Sequence, residues 1–119
     1  MPQAEARPVE IKQEIVVEKT DLPSKCIPYL DEIKKYDWDT EMAGKIMFAE
    51  SSCDPEALNN NPKTGDYSVG LMQINLHGKL KELRPAEKEL KDPSKNIAFA
   101  YELYKARGFQ PWTTYKKLL

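Results

Sequence analysis

Glu41-Met42-Ala43-Gly44-Lys45-Ile46-Met47-Phe48-Ala49-Glu50-Ser51 is the stretch whose reading decides the fold. It is free of proline and follows Asp39-Thr40, either of which can cap a helix. At about 100° per residue, Met42, Ile46, Ala49 and Cys53 form one apolar stripe, which Ala43 and Met47 widen on one side. Glu50 falls between them, four residues after Ile46, three after Met47 and seven after Ala43. A carboxyl group turned toward the core side loses hydration, and that raises its pKa. A proton held near neutral pH is what a general acid needs. The competing reading is a glutamate at the helix edge, paired with a nearby lysine.

The neighbouring elements follow the same logic. Pro23 begins the compact region, and Ser24 is expected to cap a helix running to about Tyr36, with Ile27, Leu30 and Ile33 at helical spacing. Pro55 closes the second helix or follows its end. The cluster from Asn59 to Asp66 reads as turns, and Tyr67 to Asn75 as a short hairpin or extended segment. Two helical stretches follow around residues 78–90. Asp92-Pro93 starts a stronger helix with Ile97, Ala100, Tyr101 and Tyr104 on one face, and Gly108 is placed to stop it. A last short helix is expected from near Pro111, carrying Trp112 and Tyr115. The fold class is therefore mainly α, or α+β, with a small β-hairpin beside the helix that bears Glu50.

Composition narrows the function. The chain of 119 residues, with net charge −1, is that of a globular domain with a modest core. Residues 1–22 read as a flexible leader or linker and residues 23–119 as the domain. The leader carries three basic and five acidic groups, whereas residues 77–119 carry ten basic and five acidic groups. That basic half suits an anionic polymer, or is simply a set of solvated helix faces. No basic and aromatic residues interleave as a nucleic-acid surface would require, and no apolar run is long enough to span a membrane. The first residues hold no compact apolar segment of the secretory kind. Export would then rest on a signal removed or lying beyond this chain, or on a phage or lysis-system route. Cys26 and Cys53 allow one bridge, worth about 3–4 kcal/mol on the chain-entropy model, or remain two buried thiols. Their wide spacing, with His77 as the lone histidine, specifies no metal site. His77 reads as a surface residue or a substrate contact.

Three ordered motifs carry a family resemblance. Ala49-Glu50-Ser51-Ser52-Cys53-Asp54-Pro55-Glu56-Ala57 resembles the glutamate motif of the soluble lytic transglycosylases. Gly70-Leu71-Met72-Gln73-Ile74-Asn75 is similar to their second motif, and related words occur in c-type and goose-type lysozymes. Asp92-Pro93-Ser94-Lys95-Asn96-Ile97 through Leu103-Tyr104, then Gly108-Phe109 and Trp112, resembles the following helix and closing segment. Together they span roughly residues 38–115. The chain departs from the best-known branch in having no Ala-Tyr-Asn third motif.

The resemblance implies a lysozyme-like fold and cleavage of the β-1,4 bond between N-acetylmuramic acid and N-acetylglucosamine in peptidoglycan. Glu50 would be the catalytic acid, with no cofactor. Ser51 would hold its carboxyl group or merely solvate the helix end. Gly70 would let a sugar or another backbone approach closely. Met72 would line the cleft or pack in the core. Gln73 would offer its amide to sugar hydroxyls or N-acetyl groups, and Asn75 would be a second polar wall residue. Tyr67, Tyr101 and Trp112 are stacking surfaces for sugars, or core residues. Asp66 is the possible second carboxylate, or a turn residue. In c-type lysozymes the Asp stands two before the matching Gly, a place Ser68 takes here. Products would be 1,6-anhydro sugars, or reducing ends if water attacks. A non-catalytic glycan-binding or assembly module is the alternative. The setting would be the periplasm, cell envelope or extracellular space, and the protein a monomer.

Overall fold

The computed structural model describes residues 22–119, so the leader expected over residues 1–22 lies outside the described residues except for Leu22. The chain runs through a 3-10 turn (Ser24–Cys26), then α1 (Ile27–Ile33), α2 (Thr40–Ser51), β1 (Leu58–Asn60), β2 (Tyr67–Val69) and β3 (Ile74–Asn75). Helices α3 (Leu80–Leu83), α4 (Glu87–Leu90), α5 (Pro93–Arg107) and α6 (Thr114–Leu118) complete it. The architecture is mainly α with a small antiparallel sheet, as expected.

α1 is shorter than its periodicity suggested, and Ser24 makes no side-chain cap. The carbonyl of Ile33 accepts the N–H of Tyr36 at 3.3 Å and the Trp38 indole N–H at 2.8 Å, so the helical ladder gives way to turns there. Ile33 is fully buried, whereas Ile27 stays half-exposed. α2 matches its expected bounds. The Asp39 carboxylate accepts the Met42 N–H at 3.0 Å, and Ser52 ends the helix in the left-handed region at φ 56°. Cys53 follows at φ 59°, and its bridge to Cys26 ties the exit of α2 to the turn before α1. Two successive non-glycine residues with positive φ each cost about 1 kcal/mol, which the surrounding contacts must offset.

The buried face of α2 is rotated from the expected stripe. Ala43, Gly44, Ile46, Met47 and Ser51 are buried, while Ala49 is exposed. Gly44 explains the rotation, since Leu30 of α1 lies close enough that a methyl group there would stand 3.2 Å from it. The rotation carries the buried face toward the Glu50 side of the helix.

The sheet has three strands where a hairpin was expected, in the order β1-β2-β3. Leu58 pairs with Val69 and Asn60 with Tyr67, and Val69 pairs with Ile74. β1 takes two residues from the stretch read as turns. It is exposed throughout and carries no hydrophobic alternation, so pairing with β2 alone makes it a strand. Between β2 and β3 the chain turns through Gly70, which has φ 81°. A side chain on Gly70 would strike the Asn96 amide at 2.3 Å and the Leu90 carbonyl at 2.4 Å. The close approach expected at this glycine is made by α5 and the end of α4.

Asp92 caps α5, accepting the N–H groups of Ser94 and Lys95, and Gly108 ends it at φ 62°. Ile97 and Ala100 are fully buried, and Tyr101 and Tyr104 join Trp38 in an aromatic cluster with ring centroids 5.4 and 5.6 Å from it. The final helix starts at Thr114, after the Trp112 that was expected to lie within it. Trp112 is held outside the helix because its indole N–H donates to the Met72 carbonyl at 2.8 Å.

Candidate active site

Glu50 stands in the last turn of α2, half-buried. Burial raises its carboxyl pKa above the ordinary range, and hydrogen bonding by the hydroxyl and backbone N–H of Thr114 opposes that rise less strongly. The hydroxyl donates to Oε2 at 2.9 Å. Among the described residues no lysine, arginine or histidine forms an ion pair with Glu50, so the edge-glutamate reading finds no support. A half-buried acid with its pKa raised in this way keeps its proton to higher pH than an exposed glutamate, as a general acid requires.

The turn bearing Gly70 to Gln73 docks beside this helix end. The Gly70 N–H donates to the Ala57 carbonyl at 2.8 Å, just past the exit of α2. The Gln73 side-chain nitrogen donates to the carbonyls of Gly70 at 3.0 Å and Ala57 at 3.3 Å. Gln73 has φ 52°, a left-handed conformation stabilised by these bonds. The segment from Trp112 to Thr114 then joins both parts, with Trp112 bonded to Met72 and Thr114 bonded to Glu50.

The other expected site residues divide clearly. Ser51 is buried and donates to the Met47 carbonyl at 3.0 Å, so its hydroxyl serves the helix and not the Glu50 carboxyl group. Met72 is fully buried and Trp112 nearly so; both are core residues here, because the turn folds inward onto α5. Tyr101 stacks on Tyr36 at a centroid distance of 4.9 Å within the aromatic cluster. Asn75 accepts the N–H groups of Tyr67 and His77 and donates to the Asp66 carboxylate at 3.0 Å. Asp66 and Asn75 thus brace the turns around β2 and β3. Tyr67 donates its hydroxyl to Glu87 at 2.7 Å. Of the expected sugar-binding residues, Met72 and Gln73 sit in the turn docked at the exit of α2, and of these two Gln73 is the one only partly buried.

Two residues with central roles lay outside the expected site. Thr114 meets Glu50 across 64 sequence positions. Asn96 is fully buried in the first turns of α5. Its oxygen accepts the Met72 N–H at 2.8 Å, and its nitrogen donates to the carbonyls of Val69 and Leu90, each at 2.9 Å. A polar residue at a buried helical position was the available clue. A cavity of about 550 Å³ lies between the sheet loops and α3–α4, bordered by Tyr67, His77, Lys81, Arg84 and Glu87, and not by Glu50.

Comparison with known proteins identifies the family and not the site. The family model described as a lysozyme-like domain matches residues 37–114, well over half of the chain. No curated protein and no solved structure matched it.

Proposed function

This chain belongs to the lysozyme-like domain family, and from that premise we propose that it cleaves peptidoglycan between N-acetylmuramic acid and N-acetylglucosamine with Glu50 as acid and then base. The family acts on peptidoglycan by cutting glycosidic bonds, which implies action in the periplasm or outside the cell. The observation that carries the reading is the half-buried Glu50 carboxyl group at the end of α2, held by the Thr114 hydroxyl beside the turn that bears Gln73.

Glu50 gives its proton to the glycosidic oxygen as the bond from that oxygen to the anomeric carbon of the muramic acid residue breaks. The N-acetyl group of the same sugar stabilises the cation-like carbon. The Glu50 carboxylate then takes the proton of the sugar's C6 hydroxyl, whose oxygen bonds to the anomeric carbon. The product is a 1,6-anhydro sugar, and Glu50 is protonated again. One carboxyl group suffices for this cycle. That favours a lytic transglycosylase over a hydrolase relying on Asp66, whose carboxylate is engaged by Asn75. Water at the same carbon would give hydrolysis instead.

The test is to incubate the protein and its Glu50→Gln variant with peptidoglycan and weigh the soluble products. Anhydro products from the wild type, and none from the variant, are expected. Reducing ends would indicate a lysozyme-type hydrolase. Equal release by both proteins would remove Glu50 from the chemistry. No release from several walls would leave a glycan-binding or assembly module.

A further inference from the structure

Arg84 has an unusual setting. It is half-buried at the end of α3, and burial pushes its pKa below the ordinary arginine value. One guanidinium nitrogen donates to the Asn75 carbonyl at 2.8 Å, and the group lies 5.6 Å from the centre of the Phe99 ring. Among the described residues no carboxylate stands within ion-pair distance of it. A guanidinium has five N–H donors, and a desolvated one with donors to spare is costly unless an anion completes it.

Arg84 borders the 550 Å³ cavity, and so do Lys81 and His77. The carboxylate on the cavity wall, Glu87, is already engaged. It accepts the Tyr67 hydroxyl at 2.7 Å, and Lys91 lies 3.4 Å from its other oxygen. The cavity is thus large enough for part of a small molecule, and its wall sets two cations, Arg84 and Lys81, against one carboxylate, Glu87, which Lys91 also neighbours. Neutral sugars need no such charge. Peptidoglycan, however, carries peptide stems with free carboxylates on its muramic acid residues. A planar guanidinium matches a carboxylate with two parallel N–H···O bonds.

We propose that this cavity is a subsite for a carboxylate of the peptide stem, received by Arg84 with Lys81 beside it. The inference rests on peptidoglycan being the substrate. Because Glu50 does not border the cavity, stem recognition is spatially distinct from bond cleavage. The subsite would favour stem-bearing strands over bare glycan.

A soluble N-acetylmuramoyl pentapeptide with free carboxylates, titrated into the Glu50→Gln protein, reads binding without turnover. Saturable binding is expected, weakened about 10-fold or more when the peptide carboxylates are amidated or when Arg84 becomes Gln. Lys81→Gln, at an exposed position that leaves folding intact, should weaken it less and reduce its salt dependence. Equal affinity for the amidated peptide would overturn the proposal, as would binding indifferent to both substitutions. Tighter binding of poly(glycerol phosphate) than of the peptide would overturn it in favour of a phosphate site. Wall cleavage by the wild type without any peptide binding would sink the subsite alone. Peptide binding without cleavage would sink the enzymatic reading alone.

Discussion

Replacing Asn96 with alanine strips three hydrogen bonds from the point where the sheet meets α5. The Met72 N–H loses its acceptor, and the carbonyls of Val69 and Leu90 each lose a donor. The site is fully buried, so water does not readily replace them. An orphaned N–H costs about 1–2 kcal/mol, and each carbonyl, with its second lone pair, about 1 kcal/mol. The sum, about 3–4 kcal/mol, is a large share of the roughly 5–15 kcal/mol that holds a domain together. Urea unfolding followed by far-ultraviolet circular dichroism would read this as a midpoint lowered by roughly 1.5–4 M, taking a slope of about 1–2 kcal/mol per molar. Asn96→Asp keeps the acceptor for Met72 but aims a charge at two carbonyls, so its stability should recover partly as the solution is acidified. A loss under about 1 kcal/mol for the alanine variant would refute the reasoning. It would mean that the turn does not depend on this amide.

Three further outcomes are expected. Because burial raises the Glu50 pKa, the native state binds that proton more tightly than the unfolded chain, and stability falls as pH rises through the raised value. Glu50→Gln should therefore melt higher than the wild type at neutral pH, with the difference vanishing below the ordinary carboxyl range; a lower melting point at neutral pH would contradict this. Thr114→Val removes the hydroxyl that favours the ionised carboxyl group, so the alkaline limb of the pH–rate profile should move upward, and an unmoved or lowered limb would show that Thr114 does not tune the acid. Reducing the Cys26–Cys53 bridge, whose partners lie 27 positions apart, should cost about 3–4 kcal/mol, seen as a lower urea midpoint in reductant; an unchanged midpoint would mean that the bridge constrains nothing the fold does not already hold.

The parts of this fold that depend on nearby residues were legible in the sequence. Asp39 caps α2 and Asp92 caps α5 because capping is a matter of two or three positions. The inward aspect of Glu50 followed from its spacing to Ala43, Ile46 and Met47. What escaped was set by distant partners. Ala49 lies outside the buried face because α1 packs over Gly44. Leu58 to Asn60 become a strand because β2 offers them a ladder. Met72 and Trp112, plausible as cleft walls from their motifs, are drawn into the core by bonds to Asn96 and to each other. A motif specifies that a residue matters without saying whether it faces solvent. The charged cavity around Arg84 joins β2, the loop after β3, and α3–α4, and no short stretch of sequence announces it.

Burial of Glu50, opposed in part by its bond to Thr114 of the final helix, makes acid strength a property of the assembled molecule. Before the final helix seats, α2 carries an ordinary water-facing glutamate; afterward the same side chain has a displaced acidity. On the proposed function, competence for proton transfer therefore waits on a contact that spans 64 sequence positions. A chain caught short of that step could hold most of its helices and still leave a cell wall untouched.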